Sequence, residues 1–340
     1  MSGSLNEGLI GGTGLYVIAA IDANHNGSVD IARRLIDHAR ESGAHAVKFQ
    51  KRTPQHAGVR GVLERSLRQY PTLGDSVGAL LTKLDFAVDD LARLAEYAAP
   101  ELDFLLAPYD LRALEDTLAV GPTGIFVDAP MAIHVPLLAG IAAAGKPVLA
   151  CTGGCSAREI EQMIEILGAR LVALFASMHP SASELADLRM IRWLRKFGYR
   201  VGFSDHSPDT RIAAMAFLLG TQVVEKRLTL SRGMEGPDHA RSLTPAEFSE
   251  FVALARSLAN VETADPLEFV DLEEADGLDA ERPSLVAAHA IPKGTTLTAD
   301  QIAIKAPSRG LAPSLLPDVV GRRTLYDLEE DEFITFGVIE

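Results

Sequence analysis

VGFSDHSPDTRIAAMAFLLGTQVVEKRLTLSRGMEGPDHARSL, residues 201–243, is the stretch that decides the fold. It reads as a strand that ends at His206, an amphipathic helix, a second strand that ends beyond Glu225, and a loop that carries Asp238. Alternating strands and helices predict a parallel sheet, whose ligands collect where the carboxyl ends of the strands meet the following loops. We therefore expect these three side chains to face one pocket.

The same alternation of strand and helix patterns runs through the preceding residues. Strand patterns are predicted at residues 15–21, 46–49, 104–107, 125–127, 148–151, 171–175, 201–203 and 223–224. Eight such repeats without a hairpin signal between them fit a (β/α)8 barrel or a doubly wound sheet. Counting the repeats leaves both folds open.

The chain is longer than one barrel requires. Its 340 residues exceed the roughly 250 of a typical (β/α)8 barrel, so two domains are predicted. Residues 262–281 are acidic, contain neither Lys nor Arg and have few apolar side chains, which is typical of a linker. We expect a barrel domain over residues 1–261 and a small domain over residues 282–340, with strand, turn and short helical patterns at 284–288, 291–295 and 299–302.

Charge, hydropathy and cysteine content exclude several classes of function. A net charge of −14 without a Lys/Arg cluster argues against nucleic-acid and anionic-membrane surfaces. The apolar runs are shorter than the about 20 residues of a membrane span, and the N-terminus lacks a cationic region followed by an apolar one. Cys151 and Cys155 have no second Cys/His pair nearby, so we expect reduced thiols rather than a zinc site or a disulfide. We expect a cytoplasmic protein with a small-molecule substrate.

Several motifs resemble the sialic acid synthase family. The closest are GFSDHS at 202–207, VEK at 224–226 and MEGPDH at 234–239, with ANHNG at 23–27, AVKFQKRTP at 46–54, APYD at 107–110, GKPVL at 145–149 and most of the last sixty residues in support. The resemblance implies a TIM barrel followed by a small antifreeze-like, β-rich domain, which decides between the two folds. It also implies condensation of phosphoenolpyruvate with an N-acyl amino sugar, and a homodimer in which each C-terminal domain caps the partner's barrel.

The resemblance implies roles for individual residues. The catalytic residues are expected to be Glu225, Asp238 and Lys48. The substrate-binding residues are expected to be Asn24, His25, Gln50, Ser204, Arg227 and Arg309. Relatives usually hold a divalent metal, Mn or Mg, with two histidines, and His206 matches the first of them.

The second metal histidine is replaced in this sequence by Arg227. A guanidinium group has no lone pair to donate and stays charged, so it cannot ligate a metal and repels one bound beside it. The substitution therefore argues against a metal role for His206, and no cofactor is firmly implied.

Departures from the family pattern are also expected on the phosphoenolpyruvate side. The family's strand-one glutamate falls on Ala20, and a lysine, a serine and a glutamate fall on Phe126, Ala129 and Met131. Further replacements fall on Cys151, Ser177, His179 and Ala306, with Arg309 as a substitute for the arginine expected at 306. Because each charge-assisted hydrogen bond to a phosphate contributes roughly 1.5–3 kcal/mol, these changes weaken the donor site.

Structural roles remain open for most of these residues. His206 could cap a loop, Glu225 and Lys226 could form an ion pair, and Asp238 could shape a turn. Asn24 and His25 could hold the first loop rather than touch substrate, and Phe126 and Met131 could fill the core. Cys151 is either a nucleophile near His179 or His134 or a small buried hydrophobe.

Three functions fit these observations. The first is an atypical synthase of sugar-acid biosynthesis that joins a three-carbon donor to a sugar aldehyde, with Arg227, Arg309, Lys51 or Arg52 as replacement cations. The second is a metal-independent lyase, epimerase or dehydratase of a sugar-like compound in the same barrel. The third is a non-catalytic homologue that binds a ligand. The first is the function we expect.

Overall fold

A computed structural model describes residues 15–177, 188–259 and 280–340 of the chain. The chain divides into two compact units, residues 1–263 and 264–340. Eight parallel strands of the first unit close into a barrel in sequence order. They are β1 (Tyr16–Ala20), β2 (Ala46–Lys51), β3 (Asp103–Pro108), β4 (Gly124–Val127), β5 (Val148–Cys151), β6 (Leu171–Ser177), β7 (Arg200–Asp205) and β8 (Val223–Arg227). The predicted (β/α)8 barrel is confirmed.

Helices connect the strands. They are α1 (Val29–Glu41), α2 (Arg60–Leu63), α3 (Val77–Leu84), α4 (Val88–Ala98), α5 (Leu111–Val120), α6 (Val135–Ala143), α7 (Ala157–Leu167), α8 (Leu188–Leu194), α9 (Arg211–Leu218) and α10 (Pro245–Ala259). No helix in the described residues is long and apolar enough to cross a membrane. The predicted linker over residues 262–281 lies almost wholly outside the described ranges.

Local sequence explains where α1 begins and ends. Ser28 is the N-cap, and its hydroxyl accepts a hydrogen bond from the backbone N–H of Ile31 at 3.3 Å. The helix buries a stripe of apolar residues against the barrel: Ala32, Leu35, Ile36 and Ala39. Just beyond the C-cap, Gly43 adopts a φ of +74°, in the left-handed region that glycine enters without strain. The chain then turns directly into β2.

Two buried apolar clusters form the barrel unit. One lies between the strands and the surrounding helices. The other contains alternate strand residues, among them Tyr16, Ile18, Leu105 and Phe175, and fills the barrel interior. Side chains alternate along a strand, so a residue two positions after a member of this second set also points inward. At the carboxyl ends of the strands, several of these inward positions carry polar side chains.

The second unit is built around a short antiparallel pair, β9 (Ser284–Ala287) and β10 (Ile302–Lys305). Over residues 280–340 it also contains the short helix α11 (Leu316–Val319) and several isolated bridges. Its own apolar core includes Leu285, Ile291, Leu297 and Ile334. The predicted strand at 284–288 and the short helical piece near 299–302 are both present, the latter as a 3-10 turn.

Candidate active site at the carboxyl ends of the barrel strands

Strand register brings the first polar residues together. Ala20 at the end of β1 pairs with Lys48 of β2 on one side and with Arg227 of β8 on the other. Ala20 is fully buried and contributes only a methyl group. The two flanking cations are therefore placed on either side of a small residue, at the level where the barrel interior meets its mouth.

Lys48 is the centre of a buried ion cluster. Its ammonium Nζ lies 2.5 Å from Glu225 Oε1, 2.8 Å from Asp128 Oδ1 and 3.4 Å from Asp22 Oδ1. The same Nζ sits 4.4 Å from the centroid of the Phe126 ring. Three carboxylates around one ammonium leave the cluster with an excess of negative charge. The lysine therefore binds the protein's own acids before any anionic ligand.

Asp128, directly after β4, organises one wall of the site. Its Oδ2 accepts hydrogen bonds from the Tyr109 hydroxyl at 2.6 Å and from Gln50 Nε2 at 2.9 Å. Arg52 donates to Gln50 Oε1 at 2.9 Å and stacks on the Tyr109 ring, with Cζ 3.3 Å from the ring centroid. Each side chain in this wall is held by its neighbours, so the wall is preorganised.

Glu225 links this cluster to β7. The Ser204 hydroxyl donates to Glu225 Oε2 at 2.5 Å and lies 3.5 Å from His206 Nε2. The next residue, Lys226, points the other way and pairs with Asp205 at 3.0 Å. Glu225 and Lys226 therefore do not pair with each other. Strand alternation sends the acid into the barrel and the lysine to a structural contact with the loop after β7.

Arg227 sits between two acids without a close hydrogen bond to either. Its Nε is 3.8 Å from Asp22 Oδ2, and its NH1 group is 3.5 Å from Asp238 Oδ1. Nε is buried and makes no hydrogen bond, as is also true of His206 Nδ1. A buried polar atom without a partner is costly, so a ligand that bonds to either of these two atoms would relieve that cost.

A cavity of about 780 Å³ opens at these strand ends, and we call it the mouth cavity. Its acidic lining residues are Asp22, Asp128, Glu159 and Asp238, and its basic lining residues are Lys48, Arg227 and Arg241. Gln50, Tyr109, Cys151, Ser204 and His206 also line it. Glu225 lies directly behind Lys48 and Ser204, with 1% of its surface exposed. The volume suits a sugar-sized molecule together with a second small ligand.

Burial and charge set the protonation states of the cluster. Burial alone would lower the pKa of Lys48, but Asp128, Asp22 and Glu225 outweigh it and hold that pKa well above its ordinary value. Burial alone would raise the pKa of Asp128, but Lys48 and the Tyr109 hydrogen bond outweigh it and lower that pKa. Both groups are therefore charged at neutral pH.

Asp22 and His206 behave differently. Burial, reinforced by the charges of Asp128 and Glu225, raises the pKa of Asp22 to about 7 against the opposing effect of Lys48 and Arg227. Burial, reinforced by the Arg227 and Lys48 cations, holds the pKa of His206 well below its usual range. The imidazole is therefore neutral, and Asp22 is divided between its neutral and charged forms near pH 7.

Comparison with known proteins identifies the family of this chain. The NeuB family profile matches residues 35–265, and the SAF domain profile matches residues 282–340. The chain belongs to the NeuB family. It is 29% identical over 333 residues to the N-acetylneuraminate-9-phosphate synthase of Mus musculus, a match that covers 96% of this chain and 92% of the mouse protein.

Two further similarities extend over nearly the full length of this NeuB-family chain. The N,N'-diacetyllegionaminic acid synthase of Campylobacter jejuni is 27% identical over 329 residues, covering 94% of this chain and 98% of that protein. The crystal structure of a putative spore coat polysaccharide biosynthesis protein E from Chromobacterium violaceum superposes with a TM-score of 0.74 at 20% identity, covering 96% of this chain and 99% of that one. At that identity the structure supports the shared fold.

The structure brings most of the predicted site residues of this NeuB chain together. Lys48, Gln50, Ser204, His206, Arg227 and Asp238 line the mouth cavity, with Glu225 immediately behind them. Asn24 is buried and donates to the Leu228 carbonyl and the Ser242 hydroxyl, so its contacts hold the first loop. His25 Nδ1 accepts from the Gly27 N–H, and its ring stacks on Phe86. Arg309 is exposed in the second unit.

The residues expected on the phosphoenolpyruvate side lie partly in the core and partly at the mouth cavity. Phe126 is fully buried inside the barrel against Phe175, and Met131 packs against the core outside it, as core residues do. Ala129 lines the mouth cavity.

The two cysteines lie near the same cavity. Cys151 lines it but is buried, while the pKa of Cys155 is raised by burial and by Glu159. His134 caps α6, and His179 lies outside the described residues.

Three residues of the site were not identified from the sequence: Asp22, Asp128 and Tyr109. Tyr109 and Asp128 directly follow β3 and β4, and Asp22 lies two residues after the end of β1. Positions just beyond buried strands are the signal that could have found these residues in a barrel. Asp22 also has a φ of +44°, a left-handed conformation that is uncommon for aspartate. Strained backbone at a strand end is a feature of functional sites.

The side chains present do not fit a divalent metal. In the described parts of the chain, no group of three or more His, Cys, Asp or Glu residues is arranged to hold one. His206 supplies a neutral imidazole, but Arg227 occupies the position where the second histidine ligand is expected. Burial would lower the pKa of that arginine, yet Asp238 and Asp22 raise it above its ordinary value. A permanent cation stands where the second metal ligand is needed.

Proposed function

We propose that this chain is a sialic acid synthase-like protein of sugar-acid biosynthesis, with its sugar-like substrate bound in the mouth cavity. The observation that supports this most is the buried Lys48–Glu225–Asp128 cluster at the strand ends, in the same site as the unpartnered ring and guanidinium nitrogens of His206 and Arg227. Relatives with more than 90% mutual coverage are named as synthases of N-acetylneuraminate 9-phosphate and N,N'-diacetyllegionaminic acid.

The reaction proposed is the joining of phosphoenolpyruvate to the aldehyde carbon of an N-acyl amino sugar. Glu225, Asp238 and Lys48 would act as catalytic residues, and Gln50, Ser204 and Arg227 would bind substrate. Arg227 would polarise the carbonyl oxygen that relatives present to a metal, since a guanidinium group can donate two hydrogen bonds to a developing oxyanion. Arg227 can turn toward a ligand because its contacts to Asp22 and Asp238 are 3.8 and 3.5 Å long.

Charge balance constrains the three-carbon donor. The mouth cavity carries four acidic and three basic lining residues, and Lys48 is already surrounded by carboxylates. A phosphate-bearing trianion would therefore depend on Arg227, Arg241 and a cation from a second subunit such as Arg309. We propose a homodimer with swapped C-terminal domains as the source of that cation. A cytoplasmic location, expected from the sequence, remains part of this proposal.

A second function is favoured by one observation, the pKa of about 7 at Asp22. A carboxyl group that titrates near neutral pH in the same cavity as a neutral imidazole suits general acid–base chemistry. The same cavity could then serve a metal-independent lyase, epimerase or dehydratase acting on a sugar-like compound. A non-catalytic homologue would keep the cavity and bind the sugar without turnover.

The deciding experiment measures binding and turnover separately. N-acetylmannosamine and phosphoenolpyruvate are titrated by calorimetry, singly and together, and phosphate release and the sugar product are followed by NMR with and without EDTA. A synthase releases phosphate only when both are present. Conversion of the sugar alone supports the second function, and binding without turnover supports a non-catalytic homologue. Absence of sugar binding contradicts the proposed substrate class.

Arg227→His tests the substitution at the metal position. The variant creates two imidazoles at the strand ends, so we expect it to bind about one Mn²⁺ per chain, measured by elemental analysis and calorimetry. Arg227→Gln is the matched control, because it removes the charge without adding a ligand of comparable strength. Stoichiometric manganese in the purified wild-type protein, lost with activity on chelation, would return the site to a metal-dependent synthase.

A further inference from the structure

A second, smaller chamber adjoins the mouth cavity. It has a volume of about 330 Å³ and shares five lining residues with the mouth cavity: Asp22, Gln50, Tyr109, Arg227 and Asp238. Its far wall is formed by three leucines of α3, Leu80, Leu81 and Leu84, and we call it the leucine chamber. The shared residues lie where the two spaces adjoin, so the junction between them is polar.

The polar side chains that belong to the leucine chamber alone already have partners within the protein. Asp85 accepts from Lys51 Nζ at 2.6 Å and from the backbone N–H of Arg52. Arg52 itself donates to Gln50 and stacks on the Tyr109 ring. A ligand in the chamber therefore meets few unsatisfied donors or acceptors beyond the junction.

His25 contributes an uncharged surface. Its Nδ1 accepts from the Gly27 N–H, its ring lies 4.2 Å from the Phe86 ring centroid, and burial lowers the pKa of this imidazole to about 3. Ala23 and Pro237 add further apolar surface. Away from the junction, the lining is therefore apolar except for Arg52 and Asp85, whose charged groups are held by other protein groups.

The leucines leave apolar surface uncovered. Leu80 is 8% exposed and packed into the protein, whereas Leu81 and Leu84 are only half-buried. All three come from one helix, with Ser76 as its N-cap, so their positions are fixed by a regular element. Apolar side chains held around a concave space beside a polar site are characteristic of a subsite for an apolar group.

We propose that the leucine chamber binds a short apolar substituent of the sugar-like substrate, such as an acyl chain or a deoxy carbon. This inference rests on the proposed function. The sugar ring would lie in the mouth cavity, where Gln50, Asp22 and Asp238 offer hydrogen bonds, and the substituent would extend past the junction. A volume of about 330 Å³ corresponds to roughly ten water molecules, enough for several carbon atoms.

The test is a homologous ligand series on the full chain. Mannosamine carrying N-acetyl, N-propanoyl or N-butanoyl groups is titrated by calorimetry, with 6-deoxy-N-acetylmannosamine as a separate arm. Each added methylene that leaves water is expected to tighten binding about fourfold, equivalent to about 0.8 kcal/mol. A gain along the acyl series places the acyl group in the chamber, and a gain for the 6-deoxy sugar places the deoxy carbon there.

Leu81→Asn and Leu84→Asn should reduce that gain per methylene to less than twofold. Leu118→Asn is the matched control, because Leu118 is 40% exposed on α5 and does not line the chamber. Circular dichroism confirms that each variant is folded. The inference is overturned if affinity is independent of both substituents, or if the gain is the same in wild type, Leu81→Asn and Leu84→Asn.

A sugar-free arm separates this inference from the proposed function. Binding of 1-butanol is followed through the ¹³C-methyl NMR signals of Leu81 and Leu84. Shifts of both signals in wild type, with the Leu84 shift lost in Leu81→Asn and the Leu81 shift lost in Leu84→Asn, support an apolar subsite even if no sugar binds, and the proposed substrate then fails alone. If sugars bind but neither butanol nor chain length affects these leucines, the leucine chamber inference fails alone.

Discussion

At the scale of single residues, the two acids expected to be catalytic have different surroundings. Glu225 is 1% exposed and lies 2.5 Å from the buried Lys48 ammonium. Asp238 keeps 21% of its side chain exposed and lies 3.5 Å from Arg227. Removing Glu225 leaves a cavity inside the buried cluster and deprives the Ser204 hydroxyl of its acceptor, whereas a partly exposed pair at long distance contributes little.

We therefore expect Glu225→Ala to lower the free energy of unfolding by about 3 kcal/mol and Asp238→Ala by about 1 kcal/mol or less. Both should abolish ligand binding. Urea denaturation gives the first quantity and calorimetry under conditions where each variant is folded gives the second. Equal losses of stability, or unchanged binding in Asp238→Ala, would contradict this description of the site.

Asp22 makes stability depend on pH. Its folded-state pKa of about 7 lies above the unfolded value near 4, so the folded state binds more protons between these values. Stability is therefore lost as the pH rises from about 4 to 7. In Asp22→Asn this dependence disappears.

Relative to wild type, Asp22→Asn should gain stability as the pH rises from 4.5 to 8, by an amount on the order of a few kcal/mol. Urea unfolding at each pH measures the difference. Asp89→Asn, at an exposed position in the first turn of α4, controls for the loss of one carboxylate. A constant difference between Asp22→Asn and wild type across this pH range would show that Asp22 has an ordinary pKa.

At the scale of elements, β7 carries Ser204 and Asp205 and is packed inside the barrel through a glycine. A Cβ atom at Gly202 would come within 2.7–2.9 Å of the Phe175 ring on β6, closer than such atoms approach. Phe175 in turn contacts Phe126, below Lys48. A side chain at 202 would therefore displace the aromatic layer that supports the site.

We expect Gly202→Ala to lower the free energy of unfolding by about 1–3 kcal/mol and to weaken ligand binding through the shift of Ser204. Gly61→Ala is the matched control, because an added Cβ there has no neighbour within 4 Å. Thermal and urea unfolding check both variants. An unchanged stability in Gly202→Ala would mean that the barrel interior tolerates the extra methyl group.

At the scale of the whole molecule, each of the two units has its own apolar core. The predicted homodimer places Arg309 of one subunit at the barrel mouth of the other. Light scattering should then give a mass of twice 36.4 kDa for the full chain. A monomer at micromolar concentration would contradict this assembly.

Complementation tests whether the dimer shares its sites. Asp238→Ala and Arg309→Ala homodimers should each fail to bind ligand, and exchange of their subunits should restore one intact site in every mixed dimer. With statistical exchange half of the dimers are mixed, so about a quarter of the sites should recover. No recovery after confirmed exchange would show that Arg309 acts within its own chain, or not at all.

The sequence alone determined the barrel strands, and it predicted that Glu225 faces the pocket at their carboxyl ends. Short continuous apolar runs mark strands that are buried on both faces, and polar residues at the ends of these runs identify the ligand-binding edge of a parallel sheet. Family motifs decided between a barrel and an open sheet, which the count of repeats could not. The identity of residue 227 also follows from the sequence, and with it the lack of a second imidazole.

Only the tertiary structure decided which charges meet. Pairing of β1 with both β2 and β8 places Ala20 between Lys48 and Arg227, and this requires closure of the barrel. Asp22 and Asp128, 106 positions apart, converge on one ammonium for the same reason. Local patterns specify which way a side chain points along its own strand, but distances between strands depend on register and closure, which every element of the barrel sets together.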